Sequence, residues 1–183
     1  MNRKTLMFLF CIVSFSLPLA AQDPQQPVEV TVDDLQATPA GISLTLRAAD
    51  DRGLHMMIGL AEGQSIVLAL RNEKPERPLG HDLFKAFLDR NGWKVQKVLI
   101  RELKDGTYFS DLTIEKPNHE TQVYDARPSD AMAMGIRYGA KIYVNPQVFE
   151  QETKNRGGDD AQPQDQGKDP DKLKSSEPEE MKL

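Results

Sequence analysis

Residues 93–115, WKVQKVLIRELKDGTYFSDLTIE, contain the pattern that decides the fold. Apolar and polar residues alternate from Trp93 to Glu102 and again from Thr107 to Glu115, as expected of strands that bury one face. Between the two segments stands Lys104-Asp105-Gly106, whose Asp-Gly pair is typical of a tight hairpin turn. The stretch therefore predicts two antiparallel strands joined by a short turn.

Helices are predicted on both sides of this hairpin. Leu79 to Arg90 carries apolar residues on one helical face, and Asn91-Gly92 is a stop signal directly after it. Ser129 to Tyr138 follows a proline and ends at Gly139, as is common for helices. Leu60 to Arg71 shows apolar residues at helical spacing and predicts a third helix.

Short alternating or apolar segments predict further strands. They are Val28–Val32, Ile42–Leu46, His55–Ile58, Glu120–Tyr124 and Ile142–Val144. Hairpins in series with helices between them are typical of an α+β domain. We expect one compact domain with a mostly antiparallel sheet and two or three packed helices.

Residues 1–21 predict a cleavable secretory signal peptide. Arg3 and Lys4 form a positively charged start, Leu6 to Leu19 is largely apolar, and Ala20-Ala21 offers small residues for cleavage. The apolar run is shorter than the roughly 18 residues of a spanning helix, which disfavours a membrane anchor. We expect a periplasmic or secreted protein with no stable membrane insertion after cleavage of the signal.

The cysteine content and the net charge exclude some classes of function. The single cysteine, Cys11, lies inside the predicted signal, so the mature chain has no disulfide, thiolate metal site or cysteine nucleophile. The formal net charge is −5, whereas a tight nucleic-acid binder usually carries a basic face. Lys94, Lys97, Arg101 and Lys104 could form such a face, but alternating charges also suit the solvated side of a strand.

Composition divides the mature chain into three parts. Residues 22–27 form a short linker, and residues 28–150 have the length and apolar content of one domain. Residues 151–183 are rich in Gln, Asp, Gly, Pro, Lys and Glu. Such a segment buries too little apolar surface to offset its chain entropy, so we predict a disordered charged tail.

Polar side chains collect at the starts of two predicted helices. A helix N-terminus attracts phosphate, and a nearby arginine can bind two phosphate oxygens at once. A histidine can transfer a proton, and carboxylates can hold a divalent cation. The set therefore contains the parts of a phosphodiester-cleaving site. Its members are His81, Asp82, Asp125, Arg127, Ser129 and Asp130.

A purely structural interpretation of the same residues is also open. Ser129 and Asp130 suit helix caps, and Asp82 suits the first turn of a helix through the helix dipole. Arg127 could pair with Asp125 or Asp130. On this interpretation the two helix starts are stabilised by their polar residues and perform no chemistry.

Several ordered motifs resemble the bifunctional nuclease domain family. The motifs are Arg77-Pro-Leu-Gly-His-Asp-Leu83, Leu103-Lys-Asp-Gly-Thr-Tyr-Phe109 and Asp125-Ala-Arg-Pro-Ser-Asp-Ala131, followed by Arg137-Tyr-Gly-Ala140 and Ile142-Tyr-Val144, with Ile58-Gly59, Glu62 and Ile66 matching upstream in spacing. The resemblance covers nearly all of Val28 to Glu150.

The resemblance implies a compact α+β domain that forms homo-oligomers and cleaves both RNA and DNA. Because the residues carried over by motif position cluster at two helix starts, we hypothesise that His81 acts as general acid or base and that Arg127 holds the phosphate. Asp125 and Asp130 would orient groups or bind a metal, for which Glu62 is a weaker candidate. By motif position, Asp82 belongs with the catalytic residues and Ser129 with the substrate-binding residues. If a metal takes part, Mg²⁺ or Mn²⁺ is the candidate cofactor.

Two functions from different classes follow. The first is a nuclease that acts on RNA or DNA outside the cytoplasm with low sequence preference. The second is a non-catalytic, oligomeric envelope protein that binds a partner through the same helix starts. A fold alone does not decide between them, because one fold hosts several functions.

Overall fold

The computed structural model describes residues 26–159, with side chains to residue 155. The strands are β1 (Val28–Thr38), β2 (Gly41–Ala48), β3 (Gly53–Ile58), β4 (Lys94–Lys104), β5 (Thr107–Glu115), β6 (Thr121–Ala126) and β7 (Lys141–Val144). The helices are α1 (Leu60–Leu70), α2 (Gly80–Arg90), α3 (Pro128–Tyr138) and α4 (Pro146–Asp159). The predicted signal peptide and residues 160–183 of the predicted tail lie outside the described residues.

The strands form one seven-stranded sheet in the order β3-β2-β1-β7-β4-β5-β6. Neighbouring strands are antiparallel except β4 and β7, which are parallel. The Tyr108 hydroxyl on β5 donates to the His55 carbonyl on β3 at 3.0 Å. Because four strands separate β3 from β5 in the sheet, this contact requires a strongly curved sheet. The predicted α+β class with a mostly antiparallel sheet is confirmed.

The predicted hairpin is present as β4 and β5, with Lys104 paired to Thr107. Asp105 and Gly106 adopt φ angles of 50° and 74° in the turn. Two successive positive φ angles are the requirement of a type I′ turn, which Asp-Gly meets at low cost. The sequence signal and the geometry therefore agree at this turn.

Helix α3 lies at the centre of the molecule and packs against α1, β4 and β5. Its small residues permit a close approach to the sheet, since a Cβ at Gly135 would lie only 2.6 Å from Val98 Cγ2. Helix α1 approaches β2 as closely, because a Cβ at Gly63 would collide with the Ile42 side chain. The starts of α1 and α3 are therefore held in a fixed relation to the sheet.

Helix α2 is attached much more loosely than α3. Leu88 is its one buried residue, whereas Leu83, Phe84 and Phe87 are exposed although they lie on the predicted apolar face. Two residues of that face, Phe84 and Phe87, line an open cleft instead of the core. A helix of this kind is held mainly by its first turn and by its contacts with α3.

Helix α4 was not predicted, and the predicted domain boundary at Glu150 falls inside it. Val148, Phe149 and Glu152 are buried on it, and the helix packs against β3 and β4. The flanking residues are polar, so the local sequence lacks the repeated apolar spacing that would indicate a helix. Among residues 26–159, no helix is both long and apolar enough to cross a membrane.

Candidate active site

The starts of α2 and α3 meet over α1, which brings together residues far apart in the sequence. His81 Nε2 on α2 lies 3.1 Å from Asp130 Oδ1 on α3. His81 is largely buried, while Asp130 is about one-third exposed (33%) at the surface of the site. The two helix starts that the sequence singled out therefore form one cluster.

Ser65 on α1 completes the environment of the imidazole. Its Oγ lies 2.9 Å from His81 Nδ1, and the serine is fully buried. A carboxylate only accepts hydrogen bonds, so the ring hydrogen of a neutral His81 is assigned to Nε2 and points at Asp130. The Ser65 hydroxyl then donates to Nδ1. The ring is thus fixed in position with its proton on the side of the open site.

Arg127 lies directly before α3 and extends over the cluster. Its Nε donates to Asp130 Oδ2 at 2.7 Å, and one terminal nitrogen contacts Asp130 Oδ1 at 3.1 Å. The same nitrogen donates to Glu62 Oε1 on α1 at 2.7 Å. Two-thirds of the arginine side chain (67%) is exposed, so its planar fork is open to a ligand from solvent.

The charges of this cluster stabilise each other in their ionised forms. Burial by itself raises the pKa of Asp130, but hydrogen bonds and the charge of Arg127, with a contribution from His81, outweigh it and leave this pKa lowered. The hydrogen bond to Asp130, followed by the one to Glu62, raises the pKa of Arg127. Both groups are therefore charged at neutral pH.

Asp82 has a different position from its neighbour His81. Its Oδ2 accepts from the Leu79 backbone N–H at 3.0 Å, which caps α2, and its Oδ1 accepts from Arg137 Nε at 3.0 Å. Burial raises the pKa of Asp82, but the Leu79 and Arg137 hydrogen bonds more than compensate and leave it lowered. The first-turn position expected for Asp82 from the sequence is present, and the residue also caps the helix there.

Asp125 and Ser129 are not among the hydrogen-bond partners of His81, although Asp125 lines the apolar cleft beside the pair. Asp125, on β6, is ion-paired with Arg101 of β4 at 3.0 Å. Ser129 is buried, with 5% of its surface exposed, and lines neither of the two clefts beside the cluster. The residues that converge are thus His81, Arg127, Asp130 and Glu62.

The carboxylates do not form a metal site in this arrangement. Within residues 26–159, no three His, Cys, Asp or Glu side chains lie close enough to hold a metal ion. The Arg127 guanidinium is the cation that lies between Glu62 and Asp130, whereas Asp125 pairs elsewhere. The three metal candidates therefore do not fit a divalent cation together.

Two clefts meet at the His81–Asp130 pair. A polar cleft of about 380 Å³ is lined by Glu62, Ser65 and Arg127 together with the pair itself. An apolar cleft of about 510 Å³ lies on the other side, between α2 and the strands β5 and β6. A ligand bound at the pair can therefore extend in both directions.

Two residues of the site carried no functional signal in the sequence. The sequence did not single out Ser65, whose hydroxyl gains a role only through the contact with His81. Arg137 was part of a quoted motif, but no role was assigned to it. Its side chain is 6% exposed and donates to the carbonyls of Ser65 and Ala133 as well as to Asp82. It joins α1, α2 and α3 beneath the site.

Residues 44–156 match the bifunctional nuclease domain, a span that extends through most of α4. An uncharacterized protein of Mycobacterium tuberculosis is 35% identical over 125 residues, covering 68% of this chain and 72% of the relative. Bifunctional nuclease 1 of Oryza sativa subsp. japonica is 32% identical over 110 residues, covering 58% of this chain and 33% of the relative.

Bifunctional nuclease 1 of Arabidopsis thaliana is 29% identical over 107 residues. The match covers 56% of this chain and a third (33%) of that relative, so the plant proteins are much longer than the shared region. The family match spans more than half of this chain and includes every element from β3 to β7. The chain therefore belongs to the bifunctional nuclease domain family.

Proposed function

We propose that this protein is a nuclease that hydrolyses the phosphodiester bonds of RNA and DNA at the His81–Asp130–Arg127 cluster. The observation that carries the proposal is the hydrogen-bonded chain from Ser65 through His81 to Asp130 and Arg127. It combines a fixed proton donor, a carboxylate and an exposed arginine fork in one place. Membership of the bifunctional nuclease domain family supports the same activity.

Arg127 binds the phosphate in this mechanism. Its guanidinium matches two phosphate oxygens, and two-thirds of its side chain (67%) is exposed, so a phosphate can replace the carboxylate partners. The positive charge then faces the negative charge that develops on the phosphoryl oxygens, which is a large source of catalysis. Binding also frees one side of Asp130 for a water molecule.

The proton steps use the 3.1 Å contact between His81 Nε2 and Asp130 Oδ1. Asp130 orients a water molecule and takes its proton while the water oxygen bonds to phosphorus. The bond from phosphorus to the leaving oxygen breaks, and the imidazolium form of His81, in which Nδ1–H donates to Ser65 Oγ, gives its Nε2 proton to that oxygen and becomes a neutral ring. Asp130 then returns the proton to Nε2, which restores both groups. No contact in this scheme reads a base edge, so we expect low sequence preference.

The proposal is tested by cleavage of labelled RNA, single-stranded DNA and duplex DNA. Arg127→Ala should lower kcat/KM about a hundredfold, the usual effect of removing one transition-state donor. Arg47→Ala is the matched control, because Arg47 also forms an exposed ion pair but lies on β2 with Asp33 as its partner. Equal activity of the parent and Arg127→Ala would refute the site.

The same assay includes Mg²⁺, Mn²⁺ and chelator. Because Arg127 lies between Glu62 and Asp130, we expect cleavage to persist in chelator. Strict dependence on a divalent cation would contradict the metal-free scheme and would mean that the carboxylates rearrange around a metal.

The alternative, a non-catalytic binding protein, is favoured by one observation. Both ring nitrogens of His81 and both carboxylate oxygens of Asp130 already have partners within the protein, so the cluster also serves to join three helices. Absence of cleavage by the folded parent under every condition would select this function.

We further propose action outside the cytoplasm and self-association. Residues 1–21 have the three regions of a signal peptide, and the mature protein should begin at Gln22. Mass spectrometry of the exported protein tests this; an uncleaved N-terminus would contradict it.

Exposed leucines on α1, with Leu60 at 65% and Leu70 at 48%, support a homo-oligomer, which sedimentation tests.

A further inference from the structure

The apolar cleft beside the cluster has unusual walls for a solvent-exposed surface. Four aromatic residues line it: Phe84 and Phe87 from α2, Trp93 directly before β4, and Tyr124 from β6. The volume of about 510 Å³ lies within the range of roughly 300–1,000 Å³ of small-molecule sites. The cleft is therefore large enough for one planar ligand.

The aromatic side chains of α2 are only partly covered in the folded chain. Phe87 is 55% exposed and Phe84 is 38% exposed, although they lie on the apolar face of an amphipathic helix. Phe87 meets Trp93 edge to face, with ring centroids 6.4 Å apart and an interplanar angle of 79°. The Lys116 ammonium lies over the Trp93 ring, 5.9 Å from its centroid, so the exposed Phe87 ring is the more accessible stacking surface for a planar group.

The lining of the cleft also includes three polar residues, His81, Asp125 and Asp130. Carboxylates only accept hydrogen bonds, so an occupant that contacts Asp125 or Asp130 needs hydrogen-bond donors. Every nucleobase carries an N–H group on its pairing edge, whereas an aliphatic chain offers none.

The position of the cleft connects its occupant to a phosphate. His81 and Asp130 line both this cleft and the polar cleft that contains Arg127. A ligand that fills both clefts has a planar apolar body, hydrogen-bond donors on one edge and an attached anion. This combination describes a nucleotide unit.

We infer that the aromatic cleft binds one unpaired nucleobase of the substrate, next to the phosphodiester held by Arg127. The inference rests on the proposed function for the neighbouring phosphate. A base in a duplex is stacked on both faces and paired along its edge, so it enters only after it is flipped out. Stacking on aromatic side chains tolerates any base, consistent with low sequence preference.

The chain supplies its own probe, because Trp93 is its single tryptophan. A phosphorothioate-linked single-stranded oligonucleotide resists cleavage and is titrated into the mature protein. We expect saturable quenching of the Trp93 fluorescence, with much weaker quenching by a blunt duplex of the same length. No quenching by the single strand would overturn the inference.

Two variants locate the effect. Phe87→Leu keeps apolar bulk but removes the ring, and it should weaken oligonucleotide binding about tenfold, as expected for loss of one stacking partner. Leu83→Ala is the matched control, because Leu83 is also exposed on α2 but does not line the cleft. Equal losses in both variants would overturn the inference, as would a change of oligomeric state with unchanged binding.

The outcome is separable from that of the proposed function. Quenching that Phe87→Leu weakens, in a protein that cleaves nothing, would keep the base site and reject the nuclease. Cleavage that Phe87→Leu leaves unchanged, without quenching, would keep the nuclease and reject the base site.

Discussion

Arg137 joins three helices through one guanidinium, which makes it the residue on which the site geometry depends. It is 6% exposed and donates to Asp82 on α2, to the Ser65 carbonyl on α1 and to the Ala133 carbonyl on α3. Its charge has one carboxylate partner in this network and no contact with either cleft. Its role is therefore to position α1 and α2 beneath His81.

Arg137→Ala should lower the free energy of unfolding by about 2–4 kcal/mol. The substitution leaves the partly buried Asp82 without its ion pair and removes the nearly buried guanidinium from three helices, and such breakage is costly. Urea denaturation measures the change. Arg47→Ala, which removes an exposed ion pair, should cost at most about 1 kcal/mol. A similar small loss in both variants would mean that Arg137 does not hold the helices.

Among single residues, the polar members of the cluster are easier to predict from the sequence than the residues that support them. His81, Arg127 and Asp130 were predictable because polar side chains at helix starts suggest phosphate chemistry. Ser65 was not, since a serine at a core position of a helix is common and only its contact with His81 gives it a role. Asp125 was grouped with the site by sequence proximity, but its strand directs it to Arg101.

The close approach of α1 to β2 sets the position of Glu62 and Ser65. A Cβ at Gly63 would collide with Ile42, so Gly63→Ala should destabilise the protein by about 1–3 kcal/mol and lower its cleavage rate. Gly80→Ala is the matched control on α2, because a Cβ there meets nothing within 4 Å. Thermal unfolding compares the two, and an unaffected Gly63→Ala variant would contradict the tight packing.

The attachment of α2 should depend on pH through Asp82. The pKa of this carboxyl is lowered in the folded protein, so the stabilisation it provides is present above the ordinary pKa of aspartate. It is lost as pH falls through the folded pKa. Melting temperatures measured from about pH 6 down to about pH 2 should fall less steeply for Asp82→Asn than for the parent. Parallel curves would show that Asp82 does not contribute.

The sequence predicts whether a segment is a helix or a strand better than it predicts what that segment packs against. The hairpin of β4 and β5 follows from alternation and from Asp105-Gly106, which satisfy local rules. The exposure of α2 does not follow, because an amphipathic pattern indicates an apolar face without saying what covers it. Phe84 and Phe87 of that face line the aromatic cleft, which is why the cleft could not be foreseen.

The whole domain is closed by α4, which the composition assigned partly to a tail. Phe149 is 6% exposed and lies under the Arg52 guanidinium, 5.1 Å from the ring centroid. Phe149→Ala should lower the free energy of unfolding by about 3 kcal/mol, the usual cost of truncating a buried aromatic residue. Gln147→Ala, exposed on the same helix, should be neutral. Equal stability of the two variants would place α4 outside the cooperative domain.

At the scale of the molecule the fold class was predictable, because hairpins and helices alternate along the chain. The helix α4 was not predictable, since its two buried apolar residues, Val148 and Phe149, stand among polar residues and form no periodic pattern. This helix depends on long-range packing against β3 and β4. The curvature that brings β3 to β5 has the same origin, in contacts between residues distant in sequence.

The central claim is that His81 transfers a proton during phosphodiester cleavage. The most direct measurement is the single-turnover cleavage rate of a labelled RNA by the parent, His81→Gln and His119→Gln. His119 is an exposed histidine, with 89% of its side chain accessible, and is therefore a control of the same residue type. We predict that His81→Gln folds normally and cleaves at least about a hundredfold more slowly, while His119→Gln is unchanged. Undiminished cleavage by a folded His81→Gln protein would contradict the account.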